Sequence, residues 1–566
     1  MESPDNLGGH RRAGAEAAGA PLNSHEDIVR SAGVVSVAVL MSRLTGLLRE
    51  VVLARLFGAS AAFDAFLLGF RIPNLARDLF AEGALSSAFV PTFTSYLTTK
   101  SRKEAAELAN LVATAIIAIV GIVCLAGIWA APELVGLLAS GWKEYPGKYE
   151  LSVRLTRIMF PFLLLVALAA QAMGILNACN RFGVPALASM LFNLGSLLFG
   201  LLLGYAAGPR LGLSPIEGMA WGVVLGGALQ LFWQVPSLRR AGFRFRPRWA
   251  WSHPGLRHIV ALMGPAIIGN AAVQVNVMVN TNFAAGLWDA VRGPDGPVSW
   301  LAYAFRFMQL PLGLFGVAIA SATLPAISRS AAAGDMREFR ETLSRSLGLV
   351  FFLTVPSSVG LAVLGHSIVG AIYEGQRFEA YDTHQTALAL AGYALGLSGY
   401  AALKVLVPAF YALHDSRTPM LVSLVSILIN FLFAWTTIHL AGLRHTALAL
   451  STSVVALFGF LALFLILRER LGGIEGRALL ESFLRIGLAS LAMAGAVAVS
   501  SGLIRSWLGA GKTGYLADVT ISIGVGLVVF WGVCRMAGVR ELEMAIRAAP
   551  PVRRLLERVH AKIESR

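Results

Sequence analysis

Charged residues are scarce in this chain: 14% of its 566 residues are Asp, Glu, Lys or Arg, against about 25% in a soluble domain. Hydrophobic residues make up 56% and the mean hydropathy is +0.68, which excludes an ordinary soluble enzyme. Cysteine is nearly absent. Cys124, Cys179 and Cys534 lie far apart in or beside apolar stretches, which excludes a disulfide framework or a CxxC site and leaves three small hydrophobes. The ten histidines show no HExxH or comparable metal-ligand spacing, and no Ser/His/Asp arrangement stands out. Gly511-Lys512-Thr513 ends like a phosphate-binding loop, but Ser506 stands where the first glycine belongs and no strand precedes it. These absences argue against an enzyme and imply no cofactor. The segment 1–27 is polar with no apolar run, and reads as a disordered cytoplasmic tail rather than a signal peptide. Acidic residues are the rarer sign, 32 against 47 basic, giving a net charge of +15 and a pI of about 10.2. The basic excess falls mostly between hydrophobic runs, where it sets membrane topology, so no nucleic-acid partner is expected.

What is present is a succession of apolar runs, many longer than the roughly 18 residues expected of a membrane-spanning helix. About fourteen spans are expected, near 28–56, 62–97, 107–139, 152–178, 185–206, 217–238, 257–287, 298–328, 342–372, 383–412, 419–440, 445–468, 481–503 and 515–537. Pro161, Pro265 and Pro311 are candidate kinks within them. Alternate loops are rich in basic residues, for example Arg239, Arg240, Arg244, Arg246 and Arg248; the opposite set is mixed, as at Lys143 with Glu144. The positive-inside rule puts the basic loops and both termini in the cytoplasm. Beyond residue 550, Val552, Leu555, Leu556, Val559 and Ile563 follow helical spacing among arginines, as an amphipathic helix on the inner leaflet or a solvated tail would.

An internal repeat organises the spans. Ser87-Ala-Phe-Val-Pro91 resembles Ser321-Ala-Thr-Leu-Pro325, and Asn180-Arg-Phe-Gly-Val-Pro185 resembles His414-Asp-Ser-Arg-Thr-Pro419; both matches share a single offset along the chain. Six spans per copy give both copies the same orientation, a parallel repeat. The expected fold is therefore an all-α polytopic membrane protein: a lobe of helices 1–6 at 28–240, a lobe of helices 7–12 at 241–470, two extra C-terminal helices at 471–540 and a basic tail at 541–566.

Charges inside the first two spans carry the functional signal. Span 1 holds Arg43, Arg49, Glu50 and Arg55; span 2 holds or abuts Asp64, Arg71, Arg77, Asp78 and Glu82; span 8 carries Arg306. A mid-membrane charge costs about 2.5–3.5 kcal/mol on insertion scales, so these residues must face a wet cavity or one another. Pairing is the expected role of Arg55 and Asp64, near the first turn, and both readings stand open for Arg71 and Asp78. Arg43, Arg49, Arg77 and Arg306 lack enough obvious carboxylates between them and are expected to bind an anion. Guanidinium, always charged and forked, suits a phosphate or diphosphate.

Ser42-Arg-Leu-Thr-Gly-Leu-Leu-Arg-Glu50, Phe57-Gly-Ala, Asp64-Ala-Phe, and Arg71-Ile-Pro-Asn-Leu-Ala-Arg-Asp-Leu-Phe-Ala-Glu-Gly-Ala-Leu-Ser-Ser-Ala-Phe-Val-Pro91 closely resemble the MurJ/MviN lipid II flippases. So do the run from Tyr303-Ala-Phe-Arg306 to Pro325 and Lys404-Val-Leu-Val-Pro-Ala-Phe-Tyr411, and the resemblance covers roughly 28–540. It implies the multidrug/oligosaccharidyl-lipid/polysaccharide exporter fold with fourteen helices in the bacterial inner membrane. It also implies flipping of lipid II, the undecaprenyl-diphosphate-linked disaccharide-pentapeptide of peptidoglycan synthesis. Cavity-lining arginines of that family fall on Arg43, Arg49, Arg77 and Arg306; its supporting polar and acidic positions fall on Glu50, Asp64, Arg71, Asn74 and Glu82. Helices 13 and 14 are implied to form a groove for the lipid tail. Two departures stand out: Phe305 replaces an aspartate before the helix-8 arginine, and Asn280 an acidic residue of helix 7. That leaves Asn280, Ser426 and Asn430 as weak candidates for a cation site. Membrane lipids and the cell-wall synthesis machinery are the other expected partners, and a monomer the expected unit. An O-antigen-type flippase or a multidrug exporter, a non-transporting scaffold and a membrane glycosyltransferase compete; dominance of arginine disfavours a cationic drug.

Overall fold

The computed structural model describes residues 25–79, 85–474, 476–509 and 511–548. Among them all regular structure is helical, apart from isolated bridges pairing Asp289 with Gly293 and Gly375 with Phe378. An apolar medium leaves little choice, because a helix satisfies its backbone donors and acceptors within the segment and an open strand edge does not. Among the described residues ten helical stretches are long and apolar enough to cross a membrane, and a pair bent by 42° at residues 394–397, taken as one span, makes an eleventh. Helices also occupy the three remaining expected places. Residues 551–566, the expected amphipathic tail, lie outside the described residues.

Two units divide the chain. The first comprises Met1–Leu53 and Ala61–Gln274. It holds most of α1 (His25–Phe57), then α2 (Ala61–Arg77), α3 (Ser86–Thr99), α4 (Arg102–Trp129), α5 (Ala131–Leu138), α6 (Lys148–Met159), α7 (Phe162–Ala178), α8 (Gly183–Leu201) and α9 (Pro215–Arg240), and runs into α10 (Pro254–Ala285). The expected kink at Pro161 is a break: α6 ends at Met159 and α7 begins at Phe162. A capping box of Ser101 and Glu104 starts α4. Phe89 and Phe93 stack in its core and Phe243 meets Phe93 edge-on, beside Leu108 and Ile259. Lipid tails give helices no hydrophobic reason to associate, so close backbone packing must do it. Gly218, Gly222 and Gly226, one turn apart on α9, meet the α8 side so tightly that a Cβ at Gly222 would sit 2.4 Å from the Ser196 carbonyl oxygen.

The second unit comprises Ala54–Ser60 and Val275–Arg566. Its helices are α11 (Pro297–Pro311), α12 (Val317–Ala333), α13 (Met336–Tyr373), the bent pair α14 (Ala380–Ala394) and α15 (Leu397–Ala412), α16 (Arg417–His439), α17 (Arg444–Arg470), α18 (Gly476–Leu508), α19 (Lys512–Met536) and α20 (Arg540–Ala548). Pro311, another expected kink, is followed by a π-turn at Leu312–Gly316. Leu343, Leu347, Phe351, Phe410, Ile486 and Phe530 belong to one core, so α18 and α19 pack on α13. Residues 540–548 form α20, which rests on α13 with Glu541 buried beside Gly348.

Both units carry the repeat in their backbones. Pro91 lies inside α3 and Pro325 inside α12. At the second match, α7 and α15 end in the same Schellman turn. Arg181 N–H bonds the Leu176 carbonyl at 2.8 Å, and Asp415 N–H bonds the Phe410 carbonyl at 2.9 Å. The left-handed residues are Asn180 and His414, each at φ 58° and equivalent in the repeat.

Candidate functional site

The first-unit arginines start from the seating of α1 on α8. Gly46 brings α1 close enough that a Cβ there would stand 3.3 Å from the Asn193 amide, and Asn193 Nδ2 donates to the Ser42 carbonyl at 3.1 Å. One turn on from Gly46, the Arg49 guanidinium lies over the Phe192 ring, 5.4 Å from its centroid. Arg43 is exposed and lines a cavity of about 440 Å³ together with Ser42, Asn177, Ser189 and the apolar Met173 and Phe182. A guanidinium at the wall of a pocket with hydroxyl and amide neighbours can hold an oxyanion. Glu50 and Arg71 are half-buried.

At the far end of α2, Arg77 grips its neighbour Asp78: Nη2 and Nε donate to Oδ1 at 2.9 and 3.2 Å. Gln274 Nε2 approaches the other carboxylate oxygen at 3.5 Å. Arg77, expected to lack a carboxylate partner, thus has one in the adjacent residue. Pairing holds the guanidinium in place, and a group with five N–H donors can serve more than one acceptor. Asn74, one turn before Asp78, has its Oδ1 buried with no hydrogen bond from a described residue. Glu82 lies outside the described residues.

Asp64 has the structural role expected of it, with a partner that sequence reading missed. It is fully buried, and the Lys148 ammonium donates to it at 2.8 Å while sitting 4.3 Å over the Trp142 ring. In the second unit, Arg306 is exposed on α11, and the preceding Phe305 packs edge-on against Tyr393 at 5.3 Å. The three cation-site candidates separate. Asn430 Nδ2 donates to Asn280 Oδ1 at 2.9 Å and Asn280 Nδ2 to the Thr452 hydroxyl at 3.0 Å, so these two share a network. Ser426 instead turns its hydroxyl to the Val422 carbonyl of its own helix.

A second buried carboxylate also escaped sequence reading. Asp518 of α19 is fully buried and accepts hydrogen bonds from the hydroxyls of Ser367, Ser501 and Ser522, with Arg505 at 3.9 Å. It fastens α18 and α19 to α13. An acidic residue alone in an apolar run was the available signal.

A family model described as "Lipid II flippase MurJ" matches residues 53–515. The chain belongs to the lipid II flippase MurJ family. It is 33% identical over 527 residues to the probable lipid II flippase MurJ of Vibrio cholerae, covering 91% of this chain and 97% of that one. It is 34% identical over 448 residues to the lipid II flippase MurJ of Burkholderia cenocepacia, covering 78% and 84%. Among solved structures, a lipid II flippase MurJ in an inward closed conformation matches with a TM-score of 0.71 and 26% identity, over 88% of this chain and 98% of that one. An inward-facing multidrug-resistance transporter of the MATE family matches with a TM-score of 0.64 at 13% identity, over 78% and 98%; that likeness concerns the fold alone. As a MurJ-family member with ten or eleven apolar spans, the chain is a multi-pass membrane protein.

Proposed function

We propose that this MurJ-family protein carries lipid II from the inner to the outer leaflet of the bacterial cytoplasmic membrane, and that it does so without covalent chemistry. The observation that carries this reading is the placement of arginines within helices of a chain one-third identical to a probable lipid II flippase over 527 residues. Arg43, Arg49 and Arg77 on α1 and α2, and Arg306 on α11, bind the diphosphate. Its anionic oxygens match guanidinium forks, and they relieve the repulsion among like charges that otherwise disfavours closure. The lobes at 28–240 and 241–470 alternate access, the undecaprenyl tail stays in the bilayer along α18 and α19, and outward opening releases the headgroup. Both termini face the cytoplasm and one chain is the transport unit.

The membrane potential, negative inside, favours outward movement of an anion by about 2.3 kcal/mol per charge per 100 mV, and is the proposed energy source. The Asn280–Asn430–Thr452 network contributes no carboxylate for a bound cation, which favours the potential over a resident ion.

The test supplies this gene, or its Arg306→Ala variant, to a bacterium depleted of its own flippase, and scores lipid II reaching the outer leaflet. Restoration by the wild type and not by the membrane-inserted variant is expected. Failure of both, with another lipid-linked oligosaccharide flipped instead, overturns the substrate; restoration by both overturns the role of Arg306.

A further inference from the structure

The loop after α9 carries more than a topology signal. Residues 243–250 form no helix and follow a period of two: Phe243, Phe245, Pro247, Trp249 and Trp251 alternate with Arg244, Arg246 and Arg248. The segment is not a loose loop. Backbone N–H groups of Arg246 and Arg248, alternate residues, donate to Asn110 Oδ1 and Thr114 Oγ1 of α4, each at 3.1 Å. That spacing is the mark of extended chain. Arg248 adds an ion pair to Glu107 at 2.9 Å, Phe243 is buried in the core, and Arg102 lies 5.9 Å over its ring.

The anchors set the depth. Glu107, Asn110 and Thr114 lie on one stripe of α4, which Ile117 extends, and Ile117, Ile119, Ile122 and Leu125 are exposed. From Leu111 the helix is apolar to Trp129, a length suited to the hydrocarbon core. The strip is therefore pinned across the boundary between headgroups and acyl chains, on the lipid-facing side of α4. Trp249 is 68% exposed, Phe245 55% and Trp251 45%. Arg239, Arg240, Arg244 and Arg246 are exposed, and their side chains make no hydrogen bond or ion pair with a described residue.

We propose that the segment Phe243–Trp251 is a docking strip for anionic phospholipid headgroups of the inner leaflet. Arg244 and Arg246, with Arg239 and Arg240 at the end of α9, hold the phosphates. Trp249, Trp251 and Phe245 sit at the interface, where amphipathic rings are favoured. Topology alone accounts for the arginines, but not for alternating aromatics or for a backbone fastened to a lipid-facing helix. The occupant is a glycerophospholipid of the annulus, and the inference goes beyond the flippase reading. Only the choice of leaflet rests on the proposed topology.

The test is lipid retention by the purified full chain. Protein reconstituted with phosphatidylcholine vesicles doped with phosphatidylglycerol is re-extracted in mild detergent, and each lipid retained per protein is counted. Each basic residue near an anionic surface contributes about fivefold in binding, so Arg244→Gln with Arg246→Gln lowers phosphatidylglycerol affinity about thirtyfold and leaves phosphatidylcholine unchanged. Arg244→Lys with Arg246→Lys keeps the charge and restores retention, which separates lost binding from lost folding. Added salt reduces retention by the wild type. Equal phosphatidylglycerol retention by wild type and the Gln pair overturns the proposal. Because retention is read in detergent, it can fail while lipid II flipping stands, and the reverse.

Discussion

The two units meet the same problem at the same register and solve it with opposite charges. Lys148 and Asp382 are equivalent in the repeat, at the starts of α6 and α14. In the first unit the buried group is a lysine, held by the fully buried Asp64 of α2 and the Trp142 ring. In the second it is an aspartate, held by Arg292 at 2.8 Å, the Trp300 indole N–H at 3.0 Å and its own capping contact with the Glu379 N–H at 3.1 Å. The tryptophan changes task with the sign, offering its ring face to the cation and its N–H to the anion. What the repeat keeps is a polar tie at the start of a helix; the sign is free to reverse provided the partner reverses with it. Neighbouring Asp289 shows how densely the second unit is tied. Burial acts to raise its carboxyl, but the Arg292 and Val291 N–H groups, the Tyr381 hydroxyl and Arg444 outweigh that and hold it below the usual range.

The largest expected effect comes from breaking the drier pair. Lys148→Met removes the cation from a fully buried carboxylate and costs about 3–5 kcal/mol, whereas Asp64→Leu with Lys148→Met recovers most of the loss. Asp382→Asn keeps an acceptor for Trp300, and the side chain of Arg292 is 26% exposed, so this change costs about 1–3 kcal/mol. Thermal unfolding of the three purified variants in detergent ranks them. Equal losses for Lys148→Met and Asp382→Asn sink the claim that the first-unit tie is the drier.

Acid separates the two Schellman turns. In the first unit the turn is held by Arg181, whose Nη1 donates to the Ser237 carbonyl at 3.4 Å, and no carboxylate stands at this position. In the second the equivalent residue is Asp415, which caps α16 through the Arg417 and Thr418 N–H groups and is bound by Arg470 from the end of α17. The Thr418 hydroxyl and N–H, with Arg470, pull the Asp415 carboxyl down to about 2 from 3.8. A depressed folded value means the stabilisation is present above the unfolded pKa and is lost as pH falls through the folded one. Protection against hydrogen exchange at 413–418, taken relative to the intrinsic rate at each pH, should therefore fall between about pH 4 and pH 2, while protection at 179–184 falls less. A parallel loss of protection in both turns, or none at 413–418, contradicts the assignment.

Much of the fold was legible in the sequence because a membrane helix announces itself by length and apolarity, and each expected span has a helix. The repeat was legible from two short matches because the Schellman turn constrains its residues locally. The 42° bend between α14 and α15 was not, since no proline marks it. It falls at Gly396, where a Cβ would stand 2.5 Å from the Ser453 Cα, and that contact comes from α17, remote in the sequence. The intramembrane arginines were legible from the cost of burying charge. Their neighbours were less so. Asp78 was seen, yet its grip on Arg77 was not, because adjacent helical residues ordinarily diverge. Lys148 lies outside the expected spans, and only the fold brings it to Asp64, 84 residues away.

The smallest effect expected from the comparison lies in the left-handed residues. A side chain at φ 58° crowds its carbonyl, at about 1–2 kcal/mol for most residues, less for asparagine, and glycine escapes it. Asn180 and His414 are both exposed, so replacing them removes little packing. His414→Gly should stabilise by about 1 kcal/mol and Asn180→Gly by less, because asparagine visits this region readily and glycine returns part of the gain as entropy of the unfolded chain. Paired melts in one detergent read the difference. A gain at Asn180 as large as at His414 means that residue type does not set the strain. A loss at His414 means that its ring makes a contact worth more than the backbone relief, and the two turns then differ in packing as well as in charge.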